Sequence, residues 1–194
     1  MEELKNKILA SAHNRFLSHG IRWLNLDYIA SDCGISRKTF NLYFNRNQLI
    51  ENLIKNKIEG YTRSLSVIQK EKPRPIDELR KIFSFMEKLA ADFSDIFIRD
   101  LKIHFPKDWL LIDDFIKGSL MKIFMGNLAR GVKQGVYRKT TDVVLLTEIY
   151  FSTGLMLMEK NFRQLDPSLK VKIFREVNDN FFAGLTNLVV ENSG

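Results

Sequence analysis

The stretch that decides the fold is NLDYIASDCGISRKTFNLYF, residues 25 to 44. Asn25 is a favourable N-cap, and Gly34 can end the helix that follows in a left-handed conformation. Ser36 can then cap a second helix. Between Asn25 and Gly34 the apolar residues recur at helical spacing: Leu26, Ile29, Ala30 and Cys33. The pattern therefore predicts two short helices joined by a tight turn.

The second of these helices has an apolar inner side, formed by Phe40 and Phe44, and a polar, basic outer side. Lys and Arg neutralise phosphates, and Asn, Arg and Thr reach base edges, so a major groove accommodates such a helix. Residues 36 to 57 carry five basic side chains against one acidic side chain, in a protein of net charge +7. A solvated helical hairpin without a nucleic-acid partner is the alternative interpretation.

Residues 4 to 50 resemble the DNA-binding domain of the TetR family of bacterial transcription regulators. The family's first helix is apolar-periodic and ends in Phe and then Gly, and its helix-turn-helix follows a fixed order of Ile-Ala, small residue-Gly-aliphatic-Ser, Thr, aromatic and Phe. This order and spacing are matched without gaps by Ile8, Ala12, Phe16, Gly20, Ile29, Ala30, Cys33, Gly34, Ile35, Ser36, Thr39, Phe40, Phe44 and Ile50.

The sequence departs from the family pattern at three positions. Asn25 stands where Thr or Ser is common, Asn41 where the family usually has Tyr, and Asn47 where it usually has Lys. The family's Tyr and Lys typically contact phosphates. Asn41 is predicted to read a base instead, since Asn pairs bidentately with adenine, and Arg46 to replace the missing Lys. The predicted DNA contacts are Asn25, Ser36, Arg37, Lys38, Thr39, Asn41, Leu42, Tyr43, Arg46 and Asn47.

Composition is that of a globular protein of 194 residues, 45% apolar and 27% charged. The single cysteine, Cys33, excludes an internal disulfide framework, and packing is its expected role. No basic-then-apolar leader precedes the first helix, and Glu148 interrupts the most apolar run, 143–158. We expect a cytoplasmic protein with no membrane partner.

Helical patterns cover the rest of the chain, which predicts an all-α fold. The expected helices span 3–18, 47–69, 76–93, 95–104, 108–134, 141–161 and 167–191, besides the two short ones. The predicted organisation is a three-helix DNA-binding domain at 1–48 and a larger helical effector-binding and dimerisation domain at 49–194.

Aromatic and Met residues are dense between residues 83 and 125. Plain core packing is one interpretation. Flexible Met and flat aromatic walls also suit an apolar small molecule, and the resemblance implies an effector pocket in this part of the chain. The predicted ligand contacts are Met86, Phe93, Phe97, Phe105, Trp109, Met121, Phe124, Met125 and Phe151.

The last two helices are apolar on more than one face, so each is expected to be buried on more than one side. A monomeric core would explain this, whereas the resemblance implies a homodimer built through these helices. A two-fold dimer also reads two half-sites of a palindrome. The predicted interface residues are Ile149, Thr153, Gly154, Leu157, Val177, Phe181, Leu185 and Leu188.

The predicted function is a ligand-responsive transcriptional repressor that binds a palindromic DNA operator and is released by an apolar effector. Two alternatives remain: a small-molecule binding protein with weak or lost operator recognition, and a membrane-associated or lipid-handling helical protein. His13, His19 and His104 show no metal-ligand spacing, and no phosphate-binding loop or catalytic set stands out. We expect no enzyme, no cofactor and no metal.

Overall fold

The computed structural model describes residues 2–22, 25–159 and 167–186. Within these ranges all regular structure is helical, which confirms the predicted all-α class. The elements are α1 (Glu2–His19), α2 (Leu26–Asp32), α3 (Arg37–Asn41), α4 (Arg46–Lys70), α5 (Pro75–Ala91), α6 (Asp95–His104), α7 (Pro106–Phe115), a π-helical turn (Ile116–Leu120), α8 (Met121–Lys133), α9 (Val143–Glu159) and α10 (Pro167–Leu185).

The chain divides into two compact units. The first unit comprises Met1–Arg63 and Asp92–Phe115, and the second comprises Ser64–Ala91 and Ile116–Gly194. The chain therefore passes from one unit to the other inside α4, after the end of α5 and at the start of the π turn. The functional border after residue 48 stays a prediction, because a division by spatial proximity does not assign activities.

The first unit is built around α1, which packs against both α2 and α6. Phe16 of α1 and Phe97 of α6 are almost fully buried, and their ring centroids lie 6.0 Å apart. Phe40 and Phe44 close the core under α3, as their apolar spacing predicts. The three N-terminal helices thus share one core with α6.

The second unit packs α5 against α8 and α10, and α8 against α9. Its centre is an aromatic cluster in which Phe124 of α8 stacks on Tyr150 of α9 at 4.8 Å between ring centroids. A buried polar group, Asn127, ties this core together. Its amide donates to the Pro75 carbonyl at 2.8 Å and to the Glu78 carboxylate at 2.6 Å, and it accepts from the Tyr137 hydroxyl at 2.9 Å.

The segment predicted as one helix over about 108–134 contains an interruption that the prediction missed. It begins at Pro106, whose fixed φ and missing N–H suit the first helical position. The π turn interrupts it at Ile116–Leu120. The prediction missed this turn because one extra residue in a helix hardly changes the apolar periodicity. The other bounds differ by a few residues, and the expected continuation of the last helix from 187 to 191 lies outside the described residues.

No described helix combines the length and the apolar character needed to cross a lipid bilayer.

Candidate DNA interface and ligand cavity

The turn between α2 and α3 is held by the caps that the sequence predicts. The Asn25 side chain accepts a hydrogen bond from the Asp27 N–H at 2.9 Å, and Ser36 Oγ accepts from the Thr39 N–H at 3.0 Å. Gly34 between them has φ +71°, the left-handed conformation expected at a helix end. Local sequence therefore fixes the geometry of the helix-turn-helix.

The outer side of α3 presents polar and basic groups to solvent. Arg37, Lys38 and Asn41 are exposed, and Leu42 is 81% exposed. Thr39 and Tyr43 are partly buried at the edges of this surface. A short helix with such a face can place guanidinium, ammonium and amide groups against phosphates and base edges.

A polar depression lies beside this face, within the first unit. Three of its lining side chains are arginines and one is an aspartate: Arg22, Arg37, Arg46 and Asp27. Asn25, Asn41 and Asn45 complete its polar wall. The excess of positive charge and the amide groups suit the edge of a nucleic-acid backbone.

Helix α1 braces α2 through charge-assisted hydrogen bonds. Arg15 donates to both carboxylate oxygens of Asp32 at 2.6 Å, and the Ser11 hydroxyl donates to the same carboxylate at 2.6 Å. The Arg15 guanidinium first, and the Ser11 hydroxyl second, lower the pKa of Asp32 to about 2. The carboxylate is therefore ionised at neutral pH, which keeps this contact intact.

The backbone of Ile21 is held by hydrogen bonds at both its N–H and its carbonyl. Its N–H, together with that of Arg22, donates to Asp100 Oδ2 of α6 at 3.0 Å, and its carbonyl accepts from Arg46 of α4 at 2.9 Å. Gly20, with φ +76°, permits this approach, because a Cβ there would lie 2.4 Å from Ile96 Cγ2. The sequence does not predict the contact of Ile21 and Arg22 with Asp100, because these residues lie about 80 positions apart.

Helix α4 begins with a reciprocal cap that the sequence analysis missed. Asn45 accepts from the Gln48 N–H at 2.9 Å, and Gln48 accepts from the Asn45 N–H at 3.0 Å. The spacing of a capping box, three residues apart, is the signal that would have found it. Asn47, inside this first turn, is exposed.

These positions give each predicted DNA contact a place. All ten residues lie in the first unit: on α3, on the caps of α2 and α3, in the connection after α3 (Tyr43), or at the start of α4. Asn25 and Ser36 use their side-chain oxygens as caps, and Arg46 bonds the Ile21 carbonyl. Their contacts with DNA stay predictions.

A small cavity of about 40 Å³ lies within the second unit. Its wall is formed by α5, the π turn, α9 and α10, and among the lining residues that the structure describes only Tyr150 carries a side-chain oxygen or nitrogen. The lining residues are Met86, Leu89, Ala90, Ile116, Leu120, Tyr150, Phe151, Gly154, Leu155 and Phe174. Drug-sized ligands occupy about 300 Å³ or more, so a larger molecule must move these walls.

A chain of hydrogen bonds leads away from the cavity at Tyr150. The Tyr150 hydroxyl donates to the Asn178 side-chain oxygen, and the Asn178 amide donates to the Glu87 carboxylate at 3.0 Å. Arg175 pairs with the other oxygen of Glu87 at 3.4 Å. Burial, and then the charge of Glu87, raise the pKa of Tyr150 well above its ordinary value, so the phenol keeps its proton.

The nine predicted ligand contacts are divided between the two units. Met86 and Phe151 line the cavity, and Phe124 stacks beside it on Tyr150. Met121 and Met125 are partly buried on α8. Phe93, Phe97, Phe105 and Trp109 belong to the first unit, where Phe93 and Phe97 stack in the core at 5.5 Å. Their roles as ligand contacts stay predictions.

The cavity also contains residues that the predicted set left out, among them Tyr150 and Phe174. Both fall in apolar helical runs, but only the crossing of α9 and α10 brings them together with α5. Spacing along one helix does not report which neighbouring helix it meets.

The predicted dimer residues differ in exposure. Ile149 is 50% exposed, whereas Leu185 is 1% exposed and packs inside its own unit. Thr153, Gly154, Leu157, Val177 and Phe181 are partly buried, and Leu188 lies outside the described residues. Leu145, Ile149 and Met156 form an exposed apolar stripe on α9, since they recur at helical spacing.

Among the described residues, no three His, Cys, Asp or Glu side chains lie close enough together to hold a metal ion.

Similar proteins were found by structure but not by sequence. No protein-family model matches the chain, and no curated protein sequence is significantly similar to it. A TetR-family transcriptional regulator from Agrobacterium tumefaciens superposes with a TM-score of 0.76 at 17% identity, covering 95% of this chain and 98% of the regulator.

Two further solved structures share the fold. The ketosteroid transcriptional regulator KstR2 of Mycobacterium tuberculosis has a TM-score of 0.70 at 17% identity, with 94% of each chain covered. The transcriptional regulator FadR from Bacillus subtilis, in complex with stearoyl-CoA, has a TM-score of 0.67 at 21% identity, covering 93% of this chain and 98% of FadR.

The chain therefore has the fold of the TetR-family transcriptional regulators over almost its whole length. This confirms the fold expected from the helix-turn-helix pattern.

Proposed function

We propose that this protein is a ligand-responsive, DNA-binding transcriptional regulator that acts as a homodimer. It represses by binding a palindromic operator and is released when an apolar effector occupies the second unit. The observation that carries the proposal is the exposed basic and amide face of α3, set on a capped helix-turn-helix in a TetR-type fold. We expect no catalytic activity and a cytoplasmic location.

The apolar cavity supports an effector role for the second unit. Its wall offers almost no polar group, so a bound molecule must be largely apolar where it is enclosed. One of the similar structures is a ketosteroid regulator, and another is bound to stearoyl-CoA, whose acyl chain is apolar.

The exposed stripe of α9 supports dimerisation. Three large apolar side chains on one exposed helix face, Leu145, Ile149 and Met156, lose contact with water when a second copy covers them. A two-fold dimer then presents two copies of α3 to the two half-sites of a palindrome.

The release mechanism follows from α4, which contributes residues to both units. The effector must bind more tightly to a conformation in which the two α3 helices no longer match the half-site spacing. An effector with equal affinity for both conformations would release nothing.

The experiment that tests this function is selection from a randomised DNA duplex library at near-physiological salt. We expect enrichment of a palindrome with two half-sites. Arg37→Ala is expected to weaken binding to it, whereas Lys88→Ala, which removes the same charge from an exposed position on α5, leaves binding unchanged.

Salt-sensitive binding without an enriched sequence would contradict operator recognition. That result would favour the alternative function, a small-molecule binding protein, for which Asn41 and Asn47 in place of the family's Tyr and Lys are the motivating departures.

A further inference from the structure

Glu87, the last residue of the hydrogen-bond series Tyr150–Asn178–Glu87, fixes the direction of these hydrogen bonds. The Glu87 carboxylate pairs with Arg175 and accepts hydrogen bonds only, so the nitrogen of the Asn178 amide must face it. The amide oxygen therefore faces Tyr150, and the phenol must donate its proton to that oxygen.

This direction leaves the described lining residues with one side-chain acceptor, the Tyr150 oxygen, and no free side-chain donor. The hydroxyl proton of Tyr150 and the Asn178 N–H that faces Glu87 are already donated. The phenolic oxygen keeps a lone pair that can accept one further hydrogen bond. Within the described part of the lining, no other residue carries a side-chain oxygen or nitrogen, and none carries a positive charge.

We infer that the cavity selects an apolar effector whose enclosed part carries one uncharged hydrogen-bond donor, such as an alcohol, and that Tyr150 determines this selectivity. The inference rests on the proposed effector role of the second unit. A carboxylate or phosphate finds no side-chain donor among the described lining residues, so it loses its hydration without compensation.

Met86, Leu89 and Leu120 give the enclosed part of the ligand apolar contacts on three sides. Because the cavity volume is about 40 Å³, a slender alkyl chain displaces fewer wall atoms than a fused ring system does. We therefore place the donor on an alkyl chain.

The test uses probes of matched size. 1-Octanol and heptyl methyl ether are isomers, but only the alcohol is a donor, and octanoate adds an anionic group to the same chain length. We expect the full-length protein to bind octanol about two- to tenfold more tightly than the ether, the range of one net hydrogen bond. Octanoate is expected to bind at least tenfold more weakly than octanol.

Tyr150→Phe removes the acceptor and keeps the ring that stacks on Phe124. We expect it to reduce the preference for octanol over the ether to about one, while the affinity for the ether changes little. Titration calorimetry gives the affinities, and the methyl resonance of Met86 reports whether the probe enters the cavity.

Octanoate binding as tightly as octanol, or an unchanged preference in Tyr150→Phe, would overturn the inference. If the variant does not fold, the three probes on the native protein still decide it. Operator selection is measured separately. If the protein selects an operator but binds octanol and the ether equally, only this inference fails. If it prefers octanol but selects no operator, only the proposed function fails.

Discussion

Asn41 lies on the exposed side of α3, at a position where its amide can offer a donor and an acceptor together. If it reads an adenine, Asn41→Ala loses discrimination at one base position of each half-site. We expect a loss of about 1–3 kcal/mol in discrimination, roughly 5- to 150-fold, measured by competition between operators that differ at that base.

Lys38→Ala is the matched control for a phosphate contact on the same helix. It is expected to weaken binding to all sequences alike and to reduce the salt dependence by about one counterion. If Asn41→Ala shows this uniform behaviour instead, Asn41 contacts the backbone and not a base.

Asp32 gives the link between α1 and α2 a defined pH dependence. Its pKa in the folded protein is about 2, below the ordinary value of 3.8, chiefly through Arg15. A depressed pKa stabilises the fold above pH 3.8, and this contribution is lost as the pH falls towards 2.

We therefore expect Asp32→Asn to lower the free energy of unfolding at pH 6, with a difference from the native protein that shrinks as the pH approaches 2. Urea unfolding over a pH series measures this difference. A difference that stays constant across the series would show that the carboxylate charge is not the stabilising group.

At the scale of elements, the close approach of α6 to the α1–α2 connection depends on Gly20. A Cβ at Gly20 would lie 2.4 Å from Ile96 Cγ2 and 2.7 Å from Asp100 Oδ2, at φ +76°. We expect Gly20→Ala to destabilise the protein by about 2 kcal/mol or more, from backbone strain and overpacking together. Thermal or urea unfolding measures the loss.

Gly34 supplies the control for backbone strain alone. Its φ of +71° is nearly the same, but a Cβ there meets no atom within 4 Å. Gly34→Ala is expected to cost about 1–2 kcal/mol, less than Gly20→Ala. If both variants lose the same free energy of unfolding, Ile96 and Asp100 can move away from a Cβ at position 20 without destabilising the protein.

The same two glycines show what the sequence can predict. Gly34 ends a helix, so the residues beside it explain its conformation, and the caps at Asn25 and Ser36 were predicted for the same local reason. Gly20 also follows the end of a helix, with φ +76°, but the crowding that excludes a Cβ there comes from Ile96 and Asp100, about 80 positions further along the chain. Contacts that depend on packing leave no periodic signal.

The cavity shows this limit for a whole site. The predicted ligand set includes Met86 and Phe151, which line the cavity. It also contains Phe93 and Phe97, whose stacked rings belong to the core of the first unit. Composition alone does not separate a ring that fills a core from a ring that lines a cavity.

For the whole molecule, the exposed stripe on α9 makes a prediction about assembly. We expect Ile149→Glu to raise the dissociation constant of the dimer at least about tenfold, because a two-fold interface buries the new carboxylate twice. Analytical ultracentrifugation measures the shift, and binding to a full palindrome weakens with it.

Val67 on α4 is exposed to a similar degree, 57% against 50% for Ile149, but lies outside the stripe. Val67→Glu is expected to leave the dimer intact. If both variants dissociate equally, or neither does, α9 does not carry the interface.

The π turn at Ile116–Leu120 affects how this chain is aligned with other proteins of the same fold. A π turn contains one residue more than the α-helical turn it replaces. An alignment with an uninterrupted helix therefore needs a single-residue gap within 116–120. A gap placed elsewhere would assign the residues between it and the turn to the wrong helical face. Cavity-lining positions such as Leu120 would then be compared with residues that are not equivalent.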